Sequence, residues 1–459
     1  MKYLIPIFHL FLFASFPVAA TAQDKNTAPP ILDIQEVVSD EGITAWLVED
    51  HSVPVISMHF AFKGAGSALE PDEKQGLVQL LSNTMDEGAD DLNSQAFQKT
   101  LADNSISLSF SGGRDNFGGS LKTLTKNKEL AFDLLSKALV KPRFEEDPLE
   151  RMKKSNLSRI KTSLTDPDWI AARLQNDLAF EGHPYSRNSG GTLSSLPKIT
   201  AEDLRHFVQK EFTKDRLIVS IAGDISPEQV KSMLNKTFND LPKKPESSSE
   251  TKNVVLKNGN ETAYFGLDVP QSAVRIIYEG IQRDDPDYYA FQIMNQIFGA
   301  GGFGSRLMEE VREKKGLTYG IYSSLQRLNH AQLIVIGAST QTKTVGELLS
   351  TVDQTIQDIK KDGVTKQELE DAKSYILGSL PLGLTSTGAI SATLLSLQEE
   401  NLPKNYLDLL RDKIKAITQT DVAQVAQRLL TDDNRLVIVV GEEKPGSTTR
   451  EITELPNAL

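Results

Sequence analysis

The sequence predicts an α+β protein made of two copies of one sandwich, each an antiparallel sheet with helices packed on it. Three observations lead there. The chain has 459 residues, more than one hydrophobic core normally supports. Short alternating segments lie close together, with long amphipathic segments between the sets. Motifs of the first half return in the second at a shared offset.

Each element has its own justification. Val53–Phe62, VPVISMHFAF, has strand character, and Ile106–Phe110 alternates until Gly112-Gly113 breaks it. Gly76–Met85, GLVQLLSNTM, has helical spacing, with Leu77, Leu80, Leu81 and Thr84 on one side. Glu129–Leu139 and Leu149–Leu164 read as amphipathic helices. Ile199-Thr200-Ala201-Glu202-Asp203 opens a helix, and Leu217–Ala222 is a strand ending at Gly223. Ile417-Thr418-Gln419-Thr420-Asp421 and the strand Leu436–Val440, ending at Gly441, repeat that unit. The Ile-to-Gly distance is 24 residues in both copies. Pro71-Asp72 is matched by Pro286-Asp287, and Leu134-Leu135-Ser136 by Leu348-Leu349-Ser350, so the offsets run from 214 to 218 residues. Any one match can arise by chance; a common spacing points to duplication.

The expected division is a signal peptide at 1–22, a first domain at 31–240, a linker at 241–255, a second domain at 256–445 and a tail at 446–459. Met1-Lys2, the apolar run Leu4–Phe16 and Ala20-Thr21-Ala22 form a secretory signal, with an uncleaved anchor as the alternative. Leu241–Lys252, LPKKPESSSETK, has linker composition. Zero cysteines exclude disulfides, thiolate metal sites and cysteine nucleophiles. With the signal, this makes the bacterial periplasm the expected location. A formal charge of −12 argues against nucleic acid as a partner; it suits solubility and is compatible with cationic peptides.

The six histidines are His9, His51, His59, His183, His206 and His330, and none is four residues from another. A helical zinc site needs two imidazoles one turn apart on one face. The helix Gly76–Met85 holds Gln79 and Asn83 at such a pair of places, with Ser82 between them. No G-x-S-x-G elbow or Ser/His/Asp arrangement offers another route to catalysis. Asp86-Glu87 and Asp90-Asp91 read as a solvated acidic loop rather than a metal site.

Residues Gly66–Asn93, together with NQIFGAGGFGSRLMEEVREKKGLTYGIYS at 295–323, Pro270–Gly299, His183-Pro184-Tyr185 and Gly191-Thr192, resemble the pitrilysin/insulinase-like zinc metallopeptidases, which include the mitochondrial processing peptidase. The resemblance spans about residues 33 to 445 and is most specific over 299–323. It implies the clam-shell half of such a peptidase. Where the family has His-x-x-Glu-His and a further Glu about 76 residues on, this chain has Gln79, Ser82, Asn83 and Arg159. A guanidinium offers zinc no lone pair. The resemblance therefore implies no metal in this chain and zinc in a homologous partner subunit. Arg159 is expected to occupy the vacated space. The resemblance also implies that Arg312 and Tyr319 reach a catalytic site to hydrogen-bond the substrate carbonyl and its oxyanion. From the residues alone, a helix-surface arginine and a packed tyrosine are the favoured reading. Gly299, Gly301, Gly302 and Gly304 form either a substrate-handling loop or a tight turn.

The expected function is thus a non-catalytic subunit of a periplasmic heterodimeric zinc peptidase, inactive alone. The alternative is a structural or peptide-binding scaffold. A self-sufficient peptidase would need an unrecognised metal site.

Overall fold

The apolar runs Leu217–Gly223 and Arg435–Gly441 are each central strands of a six-stranded sheet, buried on both faces. The computed structural model describes residues 30–244 and 251–455; the signal segment at 1–22 and part of the linker, 245–250, lie outside them. Strands β1 (Gln35–Val38), β2 (Thr44–Glu49), β3 (Val55–Phe62), β4 (Ser107–Gly112), β5 (Phe117–Leu124) and β6 (Leu217–Gly223) form the first sheet, in the order β1-β2-β6-β3-β5-β4. Strands β7 (Thr262–Gly266), β8 (Gln271–Glu279), β9 (Thr318–Leu328), β10 (Ala331–Gln341), β11 (Arg435–Gly441) and β12 (Arg450–Ile452) form the second, in the order β12-β7-β11-β8-β10-β9.

The two sheets share one topology. In each, a parallel pair (β2/β6 and β7/β11) is followed by three antiparallel neighbours. Only the outer strand beyond the parallel pair differs. β1 precedes β2 and runs antiparallel to it, whereas β12 comes from the C-terminal end and runs parallel to β7. The segment 446–459, expected to be a tail, therefore supplies a strand to the second sheet. Its Arg450-Glu451-Ile452 was too short a run to stand out by alternation. The duplicated helix starts also match: Thr200 and Thr418 each accept from the third helical N–H, while Asp203 and Asp421 reach back to the cap N–H.

The halves exchange helices. Helix α1 (Leu77–Ser82) and helix α2 (Glu146–Ser163) belong to the first half, but helix α3 (Pro167–Ala179) crosses over. Its Ile170, Leu174 and Leu178 bury themselves against Ala273, Ile277 and Ile438 on the outer face of the second sheet. Helix α4 (Thr387–Glu399), from the second half, covers the outer face of the first sheet, with Ile390 and Leu394 against Val48 and Ala222. Polar bonds seat both helices. Ser57 Oγ lies 2.9 Å from Thr387 Oγ1, Gln398 Nε2 donates to Val219 O at 2.9 Å, and Arg275 Nη1 donates to Gln175 Oε1 at 2.9 Å. Full burial of each large aliphatic side chain stabilises by about 1.5–3 kcal/mol, so the exchange joins the halves into one cooperative body. No single described helix is long and apolar enough to cross a membrane.

Candidate functional site

Helix α1 is shorter than its pattern suggested: regular helix ends at Ser82 and Asn83 is the cap. Its start is built without a capping side chain. Gly76 takes φ +89°, and a Cβ there would lie 2.5 Å from Gly191 Cα. The cap comes instead from Glu70, whose carboxyl accepts from Gly76 N–H at 2.9 Å and Val78 N–H at 2.7 Å. Glu70 is 2% exposed. Burial pushes its carboxyl up to about 8, against the two N–H bonds and the charges of Arg187 and Arg114.

The polar row of α1 is closed on itself. Gln79 Nε2 lies 3.3 Å from Asn83 Oδ1 and 3.4 Å from Ser82 Oγ. Ser82 Oγ donates to Gln79 O at 2.8 Å. Asn156 Nδ2, from α2, reaches the same Asn83 Oδ1 at 3.3 Å. Two amides, a hydroxyl held by a backbone carbonyl and a guanidinium thus stand at the four places where the resemblance would put zinc chemistry. These donors do not fit a zinc ion, which takes neutral imidazoles, thiolates or carboxylates. Among the described residues no group of three or more His, Cys, Asp and Glu is placed to hold a metal.

Arg159, on the same helix as Asn156, is exposed and makes no hydrogen bond or ion pair among the described residues. Its guanidinium flanks Gly190, the space of whose missing Cβ lies 3.5 Å from Nη2. It does share a space with Gln79: a pocket of about 220 Å³, also lined by Arg114, Arg173, Trp169 and Asn176. It borders the vacated motif without bonding to it. Arg114 donates to the carbonyls of Tyr185 and Arg187 at 2.7 and 3.2 Å, and burial pulls its guanidinium down to about 10. Arg173 Nη2 pairs with Asp177 Oδ1 at 2.6 Å, both side chains buried. Sequence reasoning missed Asn156, Arg114, Arg173 and Glu70. Only Asn156 left a signal, standing one helical turn before Arg159.

Arg312 and Tyr319 lie elsewhere, in the second half. Tyr319 sits on β9, the edge strand of the second sheet, and is 87% exposed. The pairing of β9 with β10 is irregular between Thr318 and Ile321. Arg312 lies on the wide π-helical turn Met308–Lys314, with its guanidinium 4.5 Å from the Phe303 ring centroid. Its Nη1 is 3.3 Å from Glu313 Oε1 yet forms no hydrogen bond, so the contact is electrostatic and misaligned. No hydrogen bond or ion pair joins either residue to Gln79, Ser82, Asn83 or Arg159 among the described residues.

The glycine-rich loop divides in two. Gly299 is a packing residue: a Cβ there would lie 2.6 Å from Ser323 Cβ. Gly302 has φ +60° and, like Gly304, open space around it, and Phe303 between them is 71% exposed. The acidic cluster after α1 is solvated at Asp91 and only partly at Asp86 and Asp90, and Glu87 departs from a solvated loop. Glu87 is buried, accepting from Arg151 Nη2 at 2.7 Å and Ser94 Oγ at 2.5 Å, while Asp91 pairs with Lys137 at 3.2 Å. Ion pairing lets these carboxylates clamp the small hairpin Gly88–Ala89/Leu92–Asn93. The histidines are dispersed: His59 Nδ1 lies 2.8 Å from Ser391 Oγ of α4, and burial depresses its pKa.

Residues 55–192 match the model of the insulinase (peptidase family M16) domain, and residues 198–376 match that of the peptidase M16 inactive domain. A Helicobacter pylori protein named non-peptidase homolog YmxG is 29% identical over 385 residues, covering 82% of this chain and 86% of that protein. A Bacillus subtilis protein named uncharacterized zinc protease YmxG is 26% identical, covering 82% and 91%. The crystal structure of a peptidase M16 inactive domain from Pseudomonas fluorescens superposes with a TM-score of 0.84 at 27% identity, covering 90% of this chain and all of that one.

Proposed function

Because this chain belongs to the M16 peptidase family and is a non-catalytic member of it, we propose that it is the zinc-less subunit of a periplasmic heterodimeric zinc peptidase. In this reading a homologous partner supplies metal, water and general base. Arg312 and Tyr319 of this chain bind the substrate carbonyl and stabilise the oxyanion formed at the partner's zinc.

One contrast carries the reading. The four motif positions of the first half are chemically unfit for zinc, while the second half keeps a phenol 87% exposed on an edge strand and a partly exposed guanidinium whose one ion-pair contact, to Glu313, is misaligned. An edge-strand phenol has no packing task of its own, and an unaligned ion pair is easily exchanged for a better acceptor. Two donors seven residues apart suit a carbonyl oxygen that gains negative charge.

The test is reconstitution. This chain is co-expressed with a homologous subunit bearing an intact His-x-x-Glu-His motif, and peptide cleavage is measured for each chain and for the pair. Cleavage by the pair alone is expected. If the two chains assemble and the partner cleaves equally well without this chain, the scaffold reading replaces this one.

A further inference from the structure

We propose that the pocket beside the degenerate motif, lined by Arg114, Arg159 and Arg173, binds a carboxylate carried by a peptide. A place that suits a cation in zinc-bearing relatives has become cationic itself. Among the described residues no aspartate or glutamate lines the pocket. The carboxylates that act on these arginines are already committed: Asp177 to Arg173, Asp115 to Asn329 N–H at 2.8 Å and to the Tyr185 hydroxyl, and Glu70 to the N–H groups of Gly76 and Val78. The hydrogen bonds of Arg114 go to neutral carbonyls; Arg173 repels its charge, while Asp115 and Glu70 attract it from outside the pocket lining. Arg159 has no partner among the described residues and is free to swing its fork over the opening. An unmatched guanidinium beside one buried and one half-buried guanidinium is a site awaiting an oxyanion. Asn176 adds a second sign: its side-chain oxygen is buried without a hydrogen-bond partner. A half-turn of that amide exchanges acceptor for donor and aims an NH2 group at the same anion.

Size selects the bearer. About 220 Å³ lies below the roughly 300–1,000 Å³ of pockets that take whole small-molecule ligands, and suits one acidic side chain or chain terminus. Choosing a peptide as bearer rests on the peptidase-subunit reading above. The site itself is complete within this chain, so its test needs no partner, and a failed reconstitution would leave the result standing.

Trp169 lines the pocket and is one of two tryptophans, so a Trp46→Phe background leaves it as the sole indole reporter. The full chain is titrated with N-acetyl-Ala-Ala-Ala-Glu-amide, N-acetyl-tetra-alanine free acid, N-acetyl-Ala-Ala-Ala-Gln-amide and inorganic phosphate. A saturable change in Trp169 emission is expected with the first, the second or both, weakening as salt rises. Which of them binds tells a side-chain carboxylate from a C-terminal one. Arg159→Gln should weaken binding roughly ten- to a hundredfold. Arg159→Lys should weaken it less, both variants melting as the parent does because Arg159 holds no structural bond. Four results would each overturn the proposal: no response to either carboxylate peptide, equal binding of the Gln amide, a response to phosphate alone, or an unchanged affinity in Arg159→Gln.

Discussion

Replacing Tyr319 by Phe removes one hydroxyl and nothing else. That side chain is 87% exposed and no group among the described residues bonds its oxygen, so folding stability should move by less than about 0.5 kcal/mol. If the hydroxyl meets the oxyanion at a partner's zinc, its loss removes one donor that acts chiefly in the transition state. Such a loss typically costs about 10²–10³ in kcat, or about 2.7–4 kcal/mol. The assay is peptide cleavage by the reconstituted pair, with kcat and KM resolved, alongside a melting curve of the isolated variant. The expected outcome is an unchanged Tm, an unchanged KM and a kcat lowered at least a hundredfold. Arg312→Ala should do the same at slightly greater cost in stability, because it also loses the Phe303 contact, worth about 0.5–1 kcal/mol at an exposed site. Equal kcat in wild type and both variants would refute the argument that these two residues serve the reaction. A fall in Tm matching the fall in activity would refute it too, since the residues would then be structural.

Other tests probe the fold and the vacated motif. Leu174→Ala, at a fully buried position of the exchanged helix α3, should cost about 2–5 kcal/mol and leave a single calorimetric transition; two separated transitions would contradict the joining of the halves. Glu70 binds its proton more tightly folded than unfolded, its pKa rising from 4.5 to about 8. Its stabilising contribution is therefore complete below about pH 4.5 and lost as pH climbs through about 8. The Tm advantage of wild type over Glu70→Gln should accordingly shrink across that window, and a constant difference would contradict it. Changing Gln79 to His, Ser82 to Glu and Asn83 to His should fail to give tight zinc binding while Arg159 remains. Adding Arg159→Glu should give it, as read by metal analysis after dialysis.

Much of this architecture was legible in the chain, and the reasons are local. The Thr200/Asp203 and Thr418/Asp421 boxes, and the apolar runs ending at Gly223 and Gly441, encode the same unit twice, and the sheets obey it in every strand but the outer one beside the parallel pair. The unfitness of Gln79, Ser82, Asn83 and Arg159 for zinc follows from residue type alone, because a side chain either offers a lone pair of the right kind or does not. The exchange of α3 and α4 was not. An amphipathic stripe such as Ile170, Leu174 and Leu178 says that a helix must bury one face, and it is silent on which sheet will cover it. Buried Glu70 was equally hidden, since an isolated glutamate before a helix looks like any surface carboxylate. The three-arginine pocket gathers residues from three separate stretches, near 114, 159 and 173, and only tertiary folding places them together.

Zinc stoichiometry decides most directly whether the chemistry has moved to another chain. The purified protein, dialysed against dilute zinc and then buffer, is compared with the purified pair by elemental analysis. The account predicts no zinc in the lone chain and one ion per heterodimer. One ion per lone chain, lost on Asn83→Ala, would contradict it.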